Sequence, residues 1–521
     1  MGIGMQYLPV PRRLIQGSAV VLFLVALLTY QSPFGLRAIL FPPKTPKICQ
    51  WQDWQSSPPV YHDCKTVRSP LIGDPNVLGD SKRCLLARTR LNEFRSSTER
   101  YWPSIKWGQL QRQCLPIRGH KVPDNEDVMS RKWRRPPHFK EVEPIPKGSS
   151  GRVAIVLRTW DNYAYTETRR AWLRTLISEA SIQGGYHVFF LVNVKDPNIN
   201  LEEDDFAYKK WLAEYVPEEF RDMAFLYNEN TLKAWYPLVE EHGAQDQIYQ
   251  ALQIFSHQFP QYDHIWQLEM DLRFTGHVHS ALESATSFAR AQSRRNLWER
   301  NGRFYLPAIH HSYENFTAAV DAEIGDTGIW GAVATEGIES VVPPPQSVHS
   351  WGVEEEADVI NFMPTIDPVG TDWVYENTVH GFANGTDTPR RAAIVSITRS
   401  SRRLLRAISK AQREKGQWVV SEAMLETFAL LQGLKAVTVP HPIVFTNEKS
   451  AQDLDREIHR GPPSNRAGGK TSMVYTNEGF PPSPWWGASY WFTGDGAKGL
   501  WEAYVEGEDL PPMLLHPVKE I

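Results

Sequence analysis

RVAIVLRTW (residues 152–160), TETRRAWLRTLISEASIQGG (166–185) and YHVFFLVNV (186–194) follow one another almost without a gap. The first and third are short apolar runs of the kind that form strands buried on both faces. Between them Ala171, Leu173, Leu176 and Ile177 recur at helical spacing, and Gly184 is placed to end the helix. Strand, helix and strand at crossover length predict a parallel sheet, hence an α/β fold.

The pattern extends downstream. MAFLYN (223–228) reads as a shorter strand, and AQDQIYQALQIFSHQF (244–259) as a helix with Ile248, Ala251, Leu252, Phe255 and Phe259 on one face. Far along the chain, SEAMLETFALLQGLKAVTVPHPIVF (421–445) repeats the logic. Ser421 is expected as N-cap, Gly433 as the stop, and KAVTVPHP as a strand closed by Pro440 and Pro442.

Between these blocks lies HIWQLEMDLRFTGH (264–277). Leu268, Met270 and Leu272 alternate with Glu269, Asp271 and Arg273, which as a strand puts both acids and the arginine on one face. A half-exposed strand with a salt-bridged outer face carries the same alternation. Two carboxylates at i and i+2, at the carboxyl end of a sheet strand, can also hold a hard divalent cation that bridges a diphosphate.

The chain has 521 residues, 41% hydrophobic and 22% charged, which is enough apolar material for a large core. The net charge of -4 gives no argument for a nucleic-acid partner, which would need a clustered basic face. The 19 tryptophans fit either sugar stacking or a large aromatic core. Residues 14–30, LIQGSAVVLFLVALLTY, carry no charge and follow Arg12 and Arg13. With no small-x-small cleavage site after it, the run is expected to be an uncleaved signal anchor with a cytoplasmic tail at 1–13. Its shortness suits Golgi or endoplasmic reticulum membranes.

Cys49, Cys64, Cys84 and Cys114 all lie between that run and the α/β pattern. An even count in a lumenal segment predicts two disulfides, with three pairings open. Asn315 and Asn384 head glycosylation sequons, as a secreted context allows. Residues 31–150 therefore read as a lumenal stem or cap, and 151–521 as the main domain, with the Pro/Gly-marked stretch at 134–151 as the boundary. No Gly-rich phosphate loop, G-x-S-x-G or H-E-x-x-H pattern is present.

HIWQLEMDLRF (264–274), EEADVINFMPTIDPVGTDW (355–373), IVSITRSSRRLL (394–405), the 421–445 block and LPPMLLHPVK (510–519) together resemble a fungal family of glycosyltransferase-like type II membrane proteins, catalogued as a domain of unknown function. The resemblance covers most of the chain from about residue 150. It implies a GT-A-like, mixed but mainly parallel sheet flanked by helices, behind a membrane helix and a disulfide-containing stem. It also implies a metal-dependent transferase that moves a sugar from a nucleotide-sugar donor to a hydroxyl of a glycan, protein or metabolite.

Under that resemblance Asp271 would ligate Mn²⁺ or Mg²⁺ with Glu269 assisting, and a late histidine, His516 or His441, would complete the site. Glu422 would act as base or acceptor contact, with Asp372 beside the acceptor. Arg158, Thr159 and Asp161, after the first strand, and Arg273 would face the donor. Two other readings stay open: a catalytically degenerate glycan- or partner-binding membrane protein, and a transferase that tailors a small metabolite.

Overall fold

The computed structural model describes residues 60–65, 68–95, 102–115, 152–201, 205–333, 350–394, 396–469 and 485–519. The apolar run at 14–30, Cys49 and all of 116–150 lie outside them. No helix of the described residues is long and apolar enough to cross a membrane. In chain order the strands are β1 (Tyr61–Asp63), β2 (Arg83–Leu85), β3 (Val153–Trp160), β4 (His187–Asn193), β5 (Ala224–Tyr227), β6 (His264–Glu269), β7 (Arg273–Phe274), β8 (Val359–Asn361), β9 (Val379–His380), β10 (Ile397–Ser401), β11 (Trp418–Val419), β12 (Ala436–Thr438) and β13 (Leu514–Leu515).

Seven of them form the central sheet, in the order β12-β8-β10-β6-β3-β4-β5. Every neighbouring pair is parallel except the two made by β10, which runs against both β6 and β8. The fold is thus mixed α/β with a mainly parallel sheet, as expected. From β3 the chain adds β4 and β5 on one side and then crosses back to add β6 on the other, so the carboxyl ends of β3 and β6 flank a topological switch point, where open α/β sheets form their binding crevice.

The apolar runs explain the strands. Ala154, Ile155, Val156 and Leu157 of β3 and Val188 to Val192 of β4 are all 2% exposed or less, so helices cover both faces. Burying each larger aliphatic or aromatic side chain contributes about 1.5–3 kcal/mol. The helix Glu167–Ile177 is capped by Thr166, whose side chain accepts from the Arg169 amide, and continues as a π-helical segment, Ser178–Gln183. The helix Gln250–Gln258 starts later than the apolar pattern, because residues 244–249 form turns. It packs on Arg402–Lys415, which packs in turn on Ser421–Gln432.

Two local expectations are corrected. Ser421 is the first helical residue rather than the cap; Val420 takes the cap position, and the Ser421 hydroxyl instead accepts the Ile248 amide at 3.0 Å. Gly433 does end that helix, in the left-handed conformation at φ 70°. The acid-bearing segment is also not one alternating strand. β6 stops at Glu269, Met270 and Asp271 turn, and the strand has no wet face: it lies between β3 and β10, and Ile265, Trp266, Gln267 and Leu268 are all buried.

The described part of the cysteine-bearing segment, which carries Cys64, Cys84 and Cys114, belongs to the same unit, Ser57–Ile521. Cys64 and Cys84 join β1 to β2 through a disulfide, and Cys114 is also disulfide-bonded. Arg90 pairs with Glu179 in the interior and donates to the Phe274 carbonyl at 2.6 Å. Gln111 meets both the amide and the carbonyl of Val188 on β4. Gly73, at φ 88°, lies so close to the His441 carbonyl that any β-carbon would collide with it.

Candidate metal centre and cleft

Glu269, Asp271 and His516 converge at the carboxyl end of β6. His516 Nε2 lies 2.9 Å from Glu269 Oε2 and 3.3 Å from Asp271 Oδ1. The meeting follows from strand register. β13 runs antiparallel to β7, with Leu514 opposite Phe274 and Leu515 opposite Arg273, so His516 comes next, towards the turn that presents Asp271. The Val518 amide then donates to the Asp271 carbonyl at 2.8 Å. The other ring nitrogen, Nδ1, donates to the Trp491 carbonyl at 2.6 Å.

That second bond fixes the ring and leaves Nε2 facing the carboxylates, the arrangement protein metal sites use to orient a histidine ligand. Two carboxylates and one imidazole suit Mn²⁺ well, and Mg²⁺ less well because of the nitrogen. As the trio stands, burial opposes a charge on His516, but hydrogen bonds and charge from Asp271 and Glu269 outweigh it and lift the imidazole to about 10. Asp271 is held low: burial raises it, but the bond to His516 more than compensates.

Arg158 of β3 sits in register with Glu269 of β6 and pairs directly with its Oε1. Both border a cleft of about 370 Å³ beyond the carboxyl ends of β3 to β6. Thr159, Trp160, Lys195, Tyr227 and Asp271 also line it. Trp160 is 38% exposed, and the Lys195 ammonium lies 5.9 Å from its ring. Neither residue stands out in the sequence; only their place at the carboxyl ends of β3 and β4 marks them.

Asp161 is spent on the loops: one oxygen accepts the Lys195 amide and the other the Asn162 amide, both at 2.8 Å. Glu422 begins its helix near the cleft, where Gln245, itself a cleft residue, donates to Oε1 at 3.2 Å. Glu422 Oε2 is buried without a hydrogen-bond partner. Burial, with Glu269 and Asp246 nearby, pushes this carboxyl up to about 7.

Three candidates lie elsewhere. Arg273 does not face the cleft; it is fully buried, with Trp172 and Trp501 at 5.6 and 5.7 Å, and donates to the Met270 and Leu272 carbonyls. It shapes the turn that carries Asp271. His441 is buried beside Phe362 and Tyr490, away from the trio, and burial drives its imidazole down to about 3. Asp372 is an exposed loop residue at φ 61°, flanked by buried Thr371 and Trp373, and does not line the cleft. Asn315 and Asn384 are both exposed.

Residues 79–520 match the family described as "Protein of unknown function (DUF3405)". The chain belongs to this family. The match takes in β2, the whole central sheet and His516, so trio and cleft all fall within the DUF3405 region. No curated protein matches the chain.

Proposed function

We propose that this DUF3405 protein is a metal-dependent glycosyltransferase that moves a sugar from a nucleotide-sugar donor to a hydroxyl acceptor. The observation that carries the reading is the Glu269–Asp271–His516 trio, set at a sheet switch point and opening on a cleft lined by Arg158 and Lys195. A mainly parallel sheet with an acid pair at the carboxyl edge of a central strand is what the GT-A-like resemblance implies. A cation bound by the trio would neutralise charge growing on the departing diphosphate.

The chain's own residues divide the remaining work. Arg158 and Lys195 bring positive charge to the phosphate side of the cleft. Trp160 offers an aromatic face for a base or sugar ring. Glu422, with a carboxyl near neutrality, takes the acceptor proton. The apolar run at 14–30 supports a single-pass lumenal enzyme of the secretory membranes.

The test is a donor screen with purified protein in Mn²⁺, Mg²⁺ or chelator, reading free nucleoside diphosphate and glycosylated acceptor. The reading fails if no donor is turned over, or if Asp271→Ala turns over like the parent. One observation favours the degenerate, binding-only reading: Arg158 already occupies an oxygen of Glu269. Calorimetry separates the two, since a binding protein takes glycan without nucleotide or Mn²⁺.

A further inference from the structure

Glu426 lies one turn beyond Glu422 on the helix Ser421–Gln432, and residues four apart share a helix face, with Cβ atoms about 5–6 Å apart. Glu426 is completely buried and, like Glu422, is not one of the residues that line the cleft. Its Oε1 accepts from the Asn361 amide of β8 at 3.1 Å, while its Oε2, like that of Glu422, is buried without a hydrogen-bond partner.

The groups acting on the pair come from every side. Arg158 of β3, Glu269 of β6 and Asp246 of the preceding loop act on Glu422, and Glu422 acts on Glu426. Tyr249 feels both carboxyls and shares a hydrogen bond with Thr398 of β10 at 3.4 Å. Burial pushes both carboxyls up to about 7. Two carboxyls on one helix face, each with a buried oxygen that lacks a partner, disfavour ionising together, and Glu422 adds to the upward push on Glu426. The surroundings decide which keeps the proton. Glu422 accepts from the cleft residue Gln245 and feels the Arg158 cation, whereas Glu426 has only the Asn361 side-chain amide.

We propose that Glu422 and Glu426 form one carboxyl pair that holds a single proton at neutral pH, kept on Glu426, so that Glu422, bonded to the cleft residue Gln245, stays ionised. The pairing deepens the transferase reading and rests on it only for the source of the proton taken up. In that step the acceptor O–H bond breaks and its proton passes to Glu422. The acceptor oxygen bonds the sugar carbon as the sugar–phosphate bond breaks, and that electron pair leaves with the nucleoside diphosphate. The pair, now doubly protonated, returns one proton to water in the cleft.

The test uses full-length protein in detergent, with Glu426→Gln and Glu422→Gln checked for native circular dichroism. Infrared difference spectra at neutral pH should show a protonated-carboxyl band in the parent and in Glu422→Gln, and lose it in Glu426→Gln. Removing Glu426 should also lower the titration midpoint of the remaining carboxyl by about one unit or more. A band that survives in Glu426→Gln, or an unmoved midpoint, overturns the pair. Neither readout needs turnover: absent transfer with the band as expected sinks the transferase reading alone, and active transfer without the band sinks the pair alone.

Discussion

Glu269 and His516 stand 247 residues apart in the chain and meet at 2.9 Å. With Asp271 on the other flank, the two acids hold the buried imidazole charged. His516 is raised above its unfolded value, so its contribution to stability is fully present below about pH 6.5. It is lost as pH rises through about 10. Metal-free parent protein should therefore lose more stability between neutral and alkaline pH than His516→Gln, measured as urea midpoints. Equal losses in the two proteins would count against this account.

A divalent cation at the trio must displace that proton. Mn²⁺ affinity is expected to rise with pH over the same window, with proton release visible as a dependence of the calorimetric enthalpy on buffer. Binding that is indifferent to pH would place the cation elsewhere.

Asp271 and Glu269 should not weigh equally, because Arg158 engages Glu269. Losing a supporting residue of a metal site costs about 10–100-fold in affinity. Asp271→Ala should cost Mn²⁺ binding more than that, and Glu269→Gln should fall within that range. The reverse ranking would make Glu269 the principal ligand.

Glu422→Gln should lower kcat by about 10²–10⁴-fold with little change in donor KM. The carboxyl must be ionised to accept a proton, and burial raises it, so the parent rate should climb with pH as the Glu422–Glu426 pair loses its first proton, on the acid side of neutrality. A rate flat from about pH 4 up to neutrality would remove Glu422 from the chemistry.

Outside the site, Arg174 is 1% exposed and forms a paired bond with Glu219, to which the Trp107 ring nitrogen also donates at 3.2 Å. Arg174→Met strands a buried carboxylate and should destabilise the protein by about 3–5 kcal/mol, while replacing both partners with apolar residues should be far milder. Thermal and urea melts of the single and double variants check this, and an equally damaging double variant would contradict it.

Much of the framework is legible in residue order. β3, the helix after it, β4 and β5 are local: each is announced by its own apolar period and bounded by its own stop signals, and each falls where that pattern places it. The acid-bearing segment is harder, because apolar/polar alternation describes a strand exposed on one face. Its central position instead buries Gln267 and ends the strand at Glu269, so Asp271 is presented by a turn and Arg273 turns inward. His441 and His516 both precede a proline and look alike in sequence. The β13–β7 register brings one to the acids, and packing against Phe362 and Tyr490 seals the other away.

By itself, then, the sequence determined an α/β body, the order of its first strands and a pair of acids waiting at the end of one of them. Those features depend on contacts between near neighbours, which periodicity records. Only the tertiary structure decided that His516 rather than His441 completes the trio, that Arg158 lies beside Glu269 across two strands, and that Lys195 and Trp160 border the same cleft. Those pairings depend on strand register and sheet order, in which residues distant in sequence become neighbours, and no local pattern encodes them.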